Sequence, residues 1–265
     1  MEETFDRIKV REVAFQATDK AARVLRQRFG QPHTVRKKRA IDLVTEADEQ
    51  SEHIIVDTIH HAFPTHDMVA EEGSLIDTGS PYQWIIDPLD GTTNFAHHIP
   101  HFCISIALAV RGRLVFGLVE NPMWPERFWA ASGEGAFMNN KSIRVSSTVS
   151  IPESLLVTGF PYELHPAMDL LIRRFQRCMA AAQGIRRFGS AALDLCYVAC
   201  GRFEGFWEQH LKPWDTAAGV LILREAGGMA TDFSGSPHEP ASPELLATNG
   251  SIHQEMLHLL HPGNV

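Results

Sequence analysis

The sequence predicts an α/β (α+β) fold in which helices pack on antiparallel and mixed sheets, and three observations carry that prediction. Over positions 5–29 the apolar residues Val13, Ala17, Ala21, Val24 and Leu25 recur by threes and fours, the period of an amphipathic helix, and Gly30 marks its stop. Between 102 and 139, four short apolar runs are cut by Arg111-Gly112, Asn121-Pro122 and Gly133-Glu134-Gly135, a spacing that suits an antiparallel meander. No Ser/Gly linker separates a first half of about 1–147 from a second of about 148–265. The chain 1–265 therefore reads as one domain whose halves share a core.

Taken in order, 37–43 reads as extended, and Thr45-x-x-Asp48 is a capping-box pattern opening a helix through Ile54, Ile55, Thr58 and Ile59. An acid in a first helical turn is favoured by the dipole, so Asp48 has an ordinary explanation. A short strand at 68–70 ends in Glu71-Glu72-Gly73. The run Trp84-Ile85-Ile86 reads as a buried strand stopping in a tight turn at Asp87-Pro88-Leu89-Asp90, because Pro88 and Gly91 both oppose a helix. At such a turn Asp87, the Leu89 carbonyl and Asp90 can offer a hard cation three oxygens. Gly91-Thr92-Thr93 then opens a short helix whose free N–H groups would face an anion. His97, His98 and His101 read as a surface loop bordering the pocket.

Strands follow at 102–110, 114–120, 127–131 and 136–139, and another at 155–158 begins the second half. Residues 168–182 are helical, with Leu171, Phe175, Cys178 and Met179 as the inner face. Ser190 is an N-cap candidate for a helix carrying Leu193, Leu195, Cys196 and Ala199. Arg186 and Arg187, just before it, are either surface charge or anion contacts. A strand at 203–208 ends in Glu208. Pro213 suits the first position of a helix running to Gly227-Gly228, which puts Asp215 in its first turn. Residues 245–248 form the last strand, and Ser251-x-x-Gln254 reads as a cap on the terminal helix.

The hydrophobic content, 44%, is ordinary for a soluble protein, and a formal net charge of −8 opposes direct nucleic-acid binding. The basic run 36–39 is too short to alter that. Cys103, Cys178, Cys196 and Cys200 form no Cys-x-x-Cys pair and read as reduced, which points to the cytoplasm. The start, Met1-Glu2-Glu3, is acidic where a secretory signal is basic, and no apolar run is long enough to span a membrane.

The stretch Asp87-Pro88-Leu89-Asp90-Gly91-Thr92-Thr93-Asn94-Phe95 resembles the signature of the inositol monophosphatase family, magnesium-dependent and lithium-sensitive phosphatases. A second signature resembles Lys212-Pro213-Trp214-Asp215-Thr216-Ala217-Ala218-Gly219. The resemblance implies a layered αβαβα sandwich of the sugar-phosphatase type, a homodimer, and two or three Mg2+ per site held by Glu71, Asp87, the Leu89 carbonyl, Asp90 and Asp215. Oxygen donors without thiolate or imidazole select magnesium or manganese (Mn2+) over zinc. By the same resemblance Asp48, Thr92 and Glu71 serve the attacking water, while Glu72 and Lys37 stand behind the ligands. Substrate would touch Glu71, Leu89, Asp90, Gly91, Thr92, Arg186, Ser190, Ala191, Glu208 and Asp215.

Thr93-Asn94-Phe95 has the form of the inositol phosphatase branch, so inositol-1-phosphate is the expected substrate among small phosphorylated polyols and sugars. Fructose bisphosphate, histidinol phosphate and NADP phosphatases are the alternatives. One departure is Lys212, where animal members carry His. A reading from another class also stands: certain bacterial relatives associate with RNA polymerase and act in antitermination by binding.

Overall fold

The computed structural model describes residues 6–31, 35–37, 43–161, 168–261 and 263, with backbone alone for 35–37, 43 and 44. Helix α1 (Arg7–Arg28) begins where the Asp6 carboxylate accepts from Lys9 N at 2.9 Å. Strand β1 (Val35–Lys37) pairs antiparallel with β2 (Leu43–Thr45), and positions 38–42 of the expected extended stretch lie outside the described residues. Helix α2 (Glu46–Ala62) opens on the expected capping box. Thr45 Oγ1 accepts from Ala47 N at 3.1 Å, and Asp48 Oδ2 accepts from Thr45 N at 2.8 Å.

Next come β3 (Asp67–Ala70), β4 (Leu75–Ile76), β5 (Tyr82–Asp90), a short α3 (Thr92–Ala96), β6 (Cys103–Val110), β7 (Arg113–Asn121), β8 (Glu126–Ala131), β9 (Ala136–Met138) and β10 (Lys141–Ile143). They form an eight-stranded sheet in the order β10-β9-β8-β7-β6-β5-β3-β4, antiparallel except for β3 beside β5. The second half contributes β11 (Leu155–Thr158), α4 (Met168–Ala181), β12 (Gly184–Arg186), α5 (Ala191–Ala199), β13 (Gly205–Gln209), α6 (Pro213–Glu225), β14 (Met229–Thr231), β15 (Glu244–Thr248) and α7 (His253–Leu260). Its five-stranded sheet runs β12-β11-β13-β15-β14, parallel around β11 and antiparallel around β15.

Side-chain alternation along β5 divides the interior. Trp84 and Ile86 face one way and pack with Ala14, Ala17 and Ile55 of α1 and α2. Ile85 faces the other way, into a core that it shares with Leu195 of α5, Ile222 of α6, and Val157 and Phe206 of the second sheet. Leu156, Cys178, Leu246 and Met256 build a third core beneath α4 and α7. The layers are therefore α, β, α, β, α, and the core around the central helices α5 and α6 joins residues from both halves.

Several expectations are corrected. Strand β5 does not stop at Asp87: it continues to Asp90 through a bulge, Asp87 pairing with Ser105 and Asp90 with Cys103. Pro88 has no N–H for the ladder, and the bulge absorbs it. On α4 the inner face is Leu171, Arg174 and Cys178 with Phe175 packed beside them, whereas Met179 is 56% exposed. Arg174 is tolerated inside because it donates to Leu260 O at 2.9 Å and Gln209 Oε1 at 2.7 Å. Ser251 does not cap α7; Asn249 Oδ1 accepts from Ser251 N and Ile252 N instead. His97 and His98 are exposed, but His101 packs its ring against Phe188 and Tyr197, and burial pushes its pKa down to about 4. Among the described residues no helix is long and apolar enough to cross a membrane.

Candidate active site

The bulge at the end of β5 is the centre of the site. Asp87 Oδ1 accepts from Leu89 N at 3.0 Å, and Ser51 Oγ of α2 donates to Pro88 O at 2.8 Å, so the bulge is held from within and behind. The adjoining β3 ends at Ala70, and Glu71 N bonds Ile86 O, which brings Glu71 beside Asp87. Glu52 fixes the following turn by accepting from Glu72 N at 2.8 Å and Ser74 N at 2.9 Å. Gly91 has φ +100°, and a Cβ there would come within 3.2 Å of His101 O and Phe102 Cβ and 3.3 Å of Gly189 O; both conformation and space require glycine.

Behind the bulge stands Asp48. Its Oδ1 accepts from Thr92 Oγ1 at 2.9 Å, and its Oδ2 accepts from Thr45 Oγ1 at 2.6 Å as well as from Thr45 N. The capping box that starts α2 thus also holds the carboxylate that meets Thr92.

The second half supplies the facing wall. Asp90 Oδ2 accepts from Ser190 Oγ and Ala192 N, each at 2.8 Å, tying β5 to the start of α5. Ser190 occupies the expected cap position, but its hydroxyl goes to Asp90 and not to its own helix. At the start of α6, Asp215 Oδ2 accepts from Lys212 N at 2.7 Å. Asp87, Asp90 and Asp215 then line one cavity of about 110 Å³ with Glu71, Leu89, Gly91, Thr92, Ser190, Ala191 and Glu208. The Leu89 side chain is buried, so this residue offers the cavity its backbone.

One expected contact residue lies apart. Arg186 is exposed and folds its guanidinium back to Ile185 O at 3.1 Å; its neighbour Arg187 lines the cavity, as successive residues of an extended segment point opposite ways. Glu72 is absent from the lining. Lys37 sits in β1, and its side chain lies outside the described residues. The sequence reading missed Arg187, Gly159, Phe160, Gly189 and Leu211 in the lining and Glu52 behind it. Glu52 did leave a signal: it lies one helical turn beyond Asp48, on the same face.

Crowding of carboxylates sets the electrostatics. Asp87 is raised well above the ordinary range by burial first, then by Glu71, Asp90 and Asp215. Burial lifts Asp90 to about 6 against the bonds from Ser190 and Ala192, and it raises Asp215 with Asp90 assisting. Asp48 is pushed up to about 6 by burial and Glu208 to about 8, the latter opposed by Arg187. Among the described residues no three His, Cys, Asp or Glu side chains are gathered closely enough to hold a metal ion by themselves. Each of the three aspartates is instead tied to a local donor around a shared space. That donor set, all oxygen and including a backbone carbonyl, fits hard divalent cations, whose charge would relieve the repulsion.

The model of the inositol monophosphatase family matches residues 6–262. The chain belongs to the inositol monophosphatase family. An inositol-1-monophosphatase from Synechocystis sp. is 46% identical over 92% of this chain and 86% of its own length. A Nus factor SuhB from Pseudomonas aeruginosa is 42% identical over 86% of each chain. The crystal structure of the extragenic suppressor protein suhB from Bartonella henselae superposes with a TM-score of 0.92 at 40% identity, covering 96% of this chain and 99% of that one. As a member of this family the chain is a phosphatase.

Proposed function

We propose that the protein hydrolyses the phosphate monoester of a small polyol, inositol-1-phosphate to inositol and phosphate, with Mg2+ or Mn2+ held by Glu71, Asp87, the Leu89 carbonyl, Asp90 and Asp215. The observation that carries this reading is the convergence of buried carboxylates from both halves on one cavity beside a Thr92–Asp48 pair. When bound, divalent cations supply an activated water and neutralise phosphate charge.

The chain's own residues do the rest. Thr92 directs its single hydroxyl proton to Asp48 Oδ1, which leaves its oxygen lone pairs to accept a hydrogen bond from water and aim it. Glu71 borders the same space. Ser190, Ala191, Glu208 and Arg187 form the far wall and take the polyol end, with Arg187 in the place the sequence reading gave to Arg186. The whole chain works as one phosphatase domain. It acts in the cytoplasm, where its four free cysteines remain reduced, and as the homodimer that the family resemblance implies.

A phosphate-release screen over inositol, fructose, histidinol and nucleotide phosphates tests this. Inositol monophosphate should turn over fastest, with activity lost to chelator, regained with magnesium and depressed by lithium. Chelator-insensitive turnover, or preference for another ester, would overturn the corresponding part. The relatives named Nus factor SuhB support a second reading, association with RNA polymerase. Recovery of polymerase from lysate by wild type and Asp87→Asn alike would favour it.

A further inference from the structure

We propose that Gly159 is a positioning residue for the substrate: its bare Cα is the seat on which the Glu208 carboxylate rests, and it thereby sets how that carboxylate faces the polyol. The inference rests on the reading of Glu208 as a polyol contact. Strands β11 and β13 run parallel with Val157 opposite Phe206 and Thr158 opposite Trp207, so Gly159 comes next, beside Glu208. Thr158 Oγ1 donates to Trp207 O at 2.7 Å and pins the strands at that level. A Cβ on Gly159 would lie 1.9 Å from Glu208 Oε2, 2.2 Å from Cδ and 2.3 Å from Oε1, and these are its three nearest atoms. Both residues line the cavity.

The backbone does not ask for glycine here. Gly159 is absent from the glycines with positive φ, so alanine would meet no conformational strain. What glycine provides is room, and the group using that room is the end of a flexible side chain, which can move away without disturbing the strands. Gly159→Ala should therefore fold as the wild type does and evict the carboxylate. In the displaced position Glu208 can no longer meet the hydroxyls that its resting geometry addresses, and leaving such buried polar groups unmatched corresponds to a loss of about 5- to 100-fold.

The test is a double-mutant cycle with Gly159→Ala, Glu208→Ala and the pair, assayed with magnesium on inositol monophosphate and on p-nitrophenyl phosphate, with thermal melting of each variant. Gly159→Ala should lower kcat/KM on inositol monophosphate about 10-fold or more beyond any loss on p-nitrophenyl phosphate, at an unchanged melting temperature. In the Glu208→Ala background it should add nothing, because the group it displaces is gone. A selective loss in Glu208→Ala without one in Gly159→Ala, or additive losses in the pair, would overturn the seat while keeping the Glu208 reading. No selective loss in Glu208→Ala would overturn both.

Discussion

Thr92 has one hydroxyl proton and two acceptors within reach, Asp48 Oδ1 at 2.9 Å and Leu89 O at 3.1 Å. The ionised carboxylate is the stronger acceptor, so the proton goes to Asp48 and the Leu89 carbonyl keeps its lone pairs for a cation. Thr92→Ala should lower kcat by about 10²- to 10⁴-fold with little change in KM, since aiming water matters mainly in the transition state. A change confined to KM, read from steady-state kinetics, would remove Thr92 from that role. Asp87 and Glu72 make a second contrast. Asp87 lines the cavity among four other carboxylates, whereas Glu72 is in a turn behind it. Asp87→Asn should abolish activity and most magnesium binding, while Glu72→Gln costs about 10- to 100-fold at most. Calorimetric titration showing equal losses would refute the distinction.

At the scale of elements, the site depends on how closely α6 approaches the first sheet. A Cβ on Gly117 of β7 would lie 2.8 Å from Ala218 O, and one on Gly219 would lie 2.7 Å from Leu195 Cβ of α5. Both obstacles belong to packed helices that cannot swing aside. Gly117→Ala should therefore destabilise by about 1–3 kcal/mol through overpacking. It should also weaken magnesium binding, because α6 carries Asp215; denaturant unfolding and calorimetry with an unaltered affinity would separate the helix position from the site. Periodicity made the long elements legible, α1, α2, the meander and α6 among them. Strands of two or three residues, such as β4, β10, β12 and β14, are too short to show a period. The bulge escaped notice because Pro88 reads equally as a turn, and only the pairing of Asp90 with Cys103 shows that the ladder resumes. In the site, the acid-rich motif showed itself by chemistry. Choosing between Arg186 and Arg187 needed the register of β12, and the role of Gly159 needed the neighbouring strand.

For the whole molecule, the carboxylate wall makes stability depend on pH in a window that can be worked out by sign. A carboxyl whose folded pKa is raised stabilises the fold fully below its unfolded pKa and loses that contribution as pH rises through the folded value. Asp48 and Asp90 lose theirs between about 4 and 6, and Glu208 between about 4.5 and 8; Asp87 and Asp215 are raised well above the ordinary value, as is Asp194, buried in α5 behind the lining near Glu208 and Asp90. Buried histidines act in the other direction. His66, His101, His238 and His253 are all lowered from 6.5, chiefly by burial, so their contribution grows as pH rises to that value. The two sets oppose each other below 6.5. Above it the histidine contribution tails off within about one pH unit, while the carboxyls raised furthest, Asp87 and Asp215 among them, set the trend. Between pH 6.5 and 8 the metal-free protein should therefore melt at progressively lower temperature. Excess magnesium binds the ionised form, so the stabilisation it adds should grow over the same interval. Scanning calorimetry in chelator and in magnesium at three pH values across the window reads both trends. A metal-free melting temperature that is level or rising from 6.5 to 8 would mean that the carboxylates are not crowded together in the folded chain, and the assignment of the cavity as the metal site would fall with it.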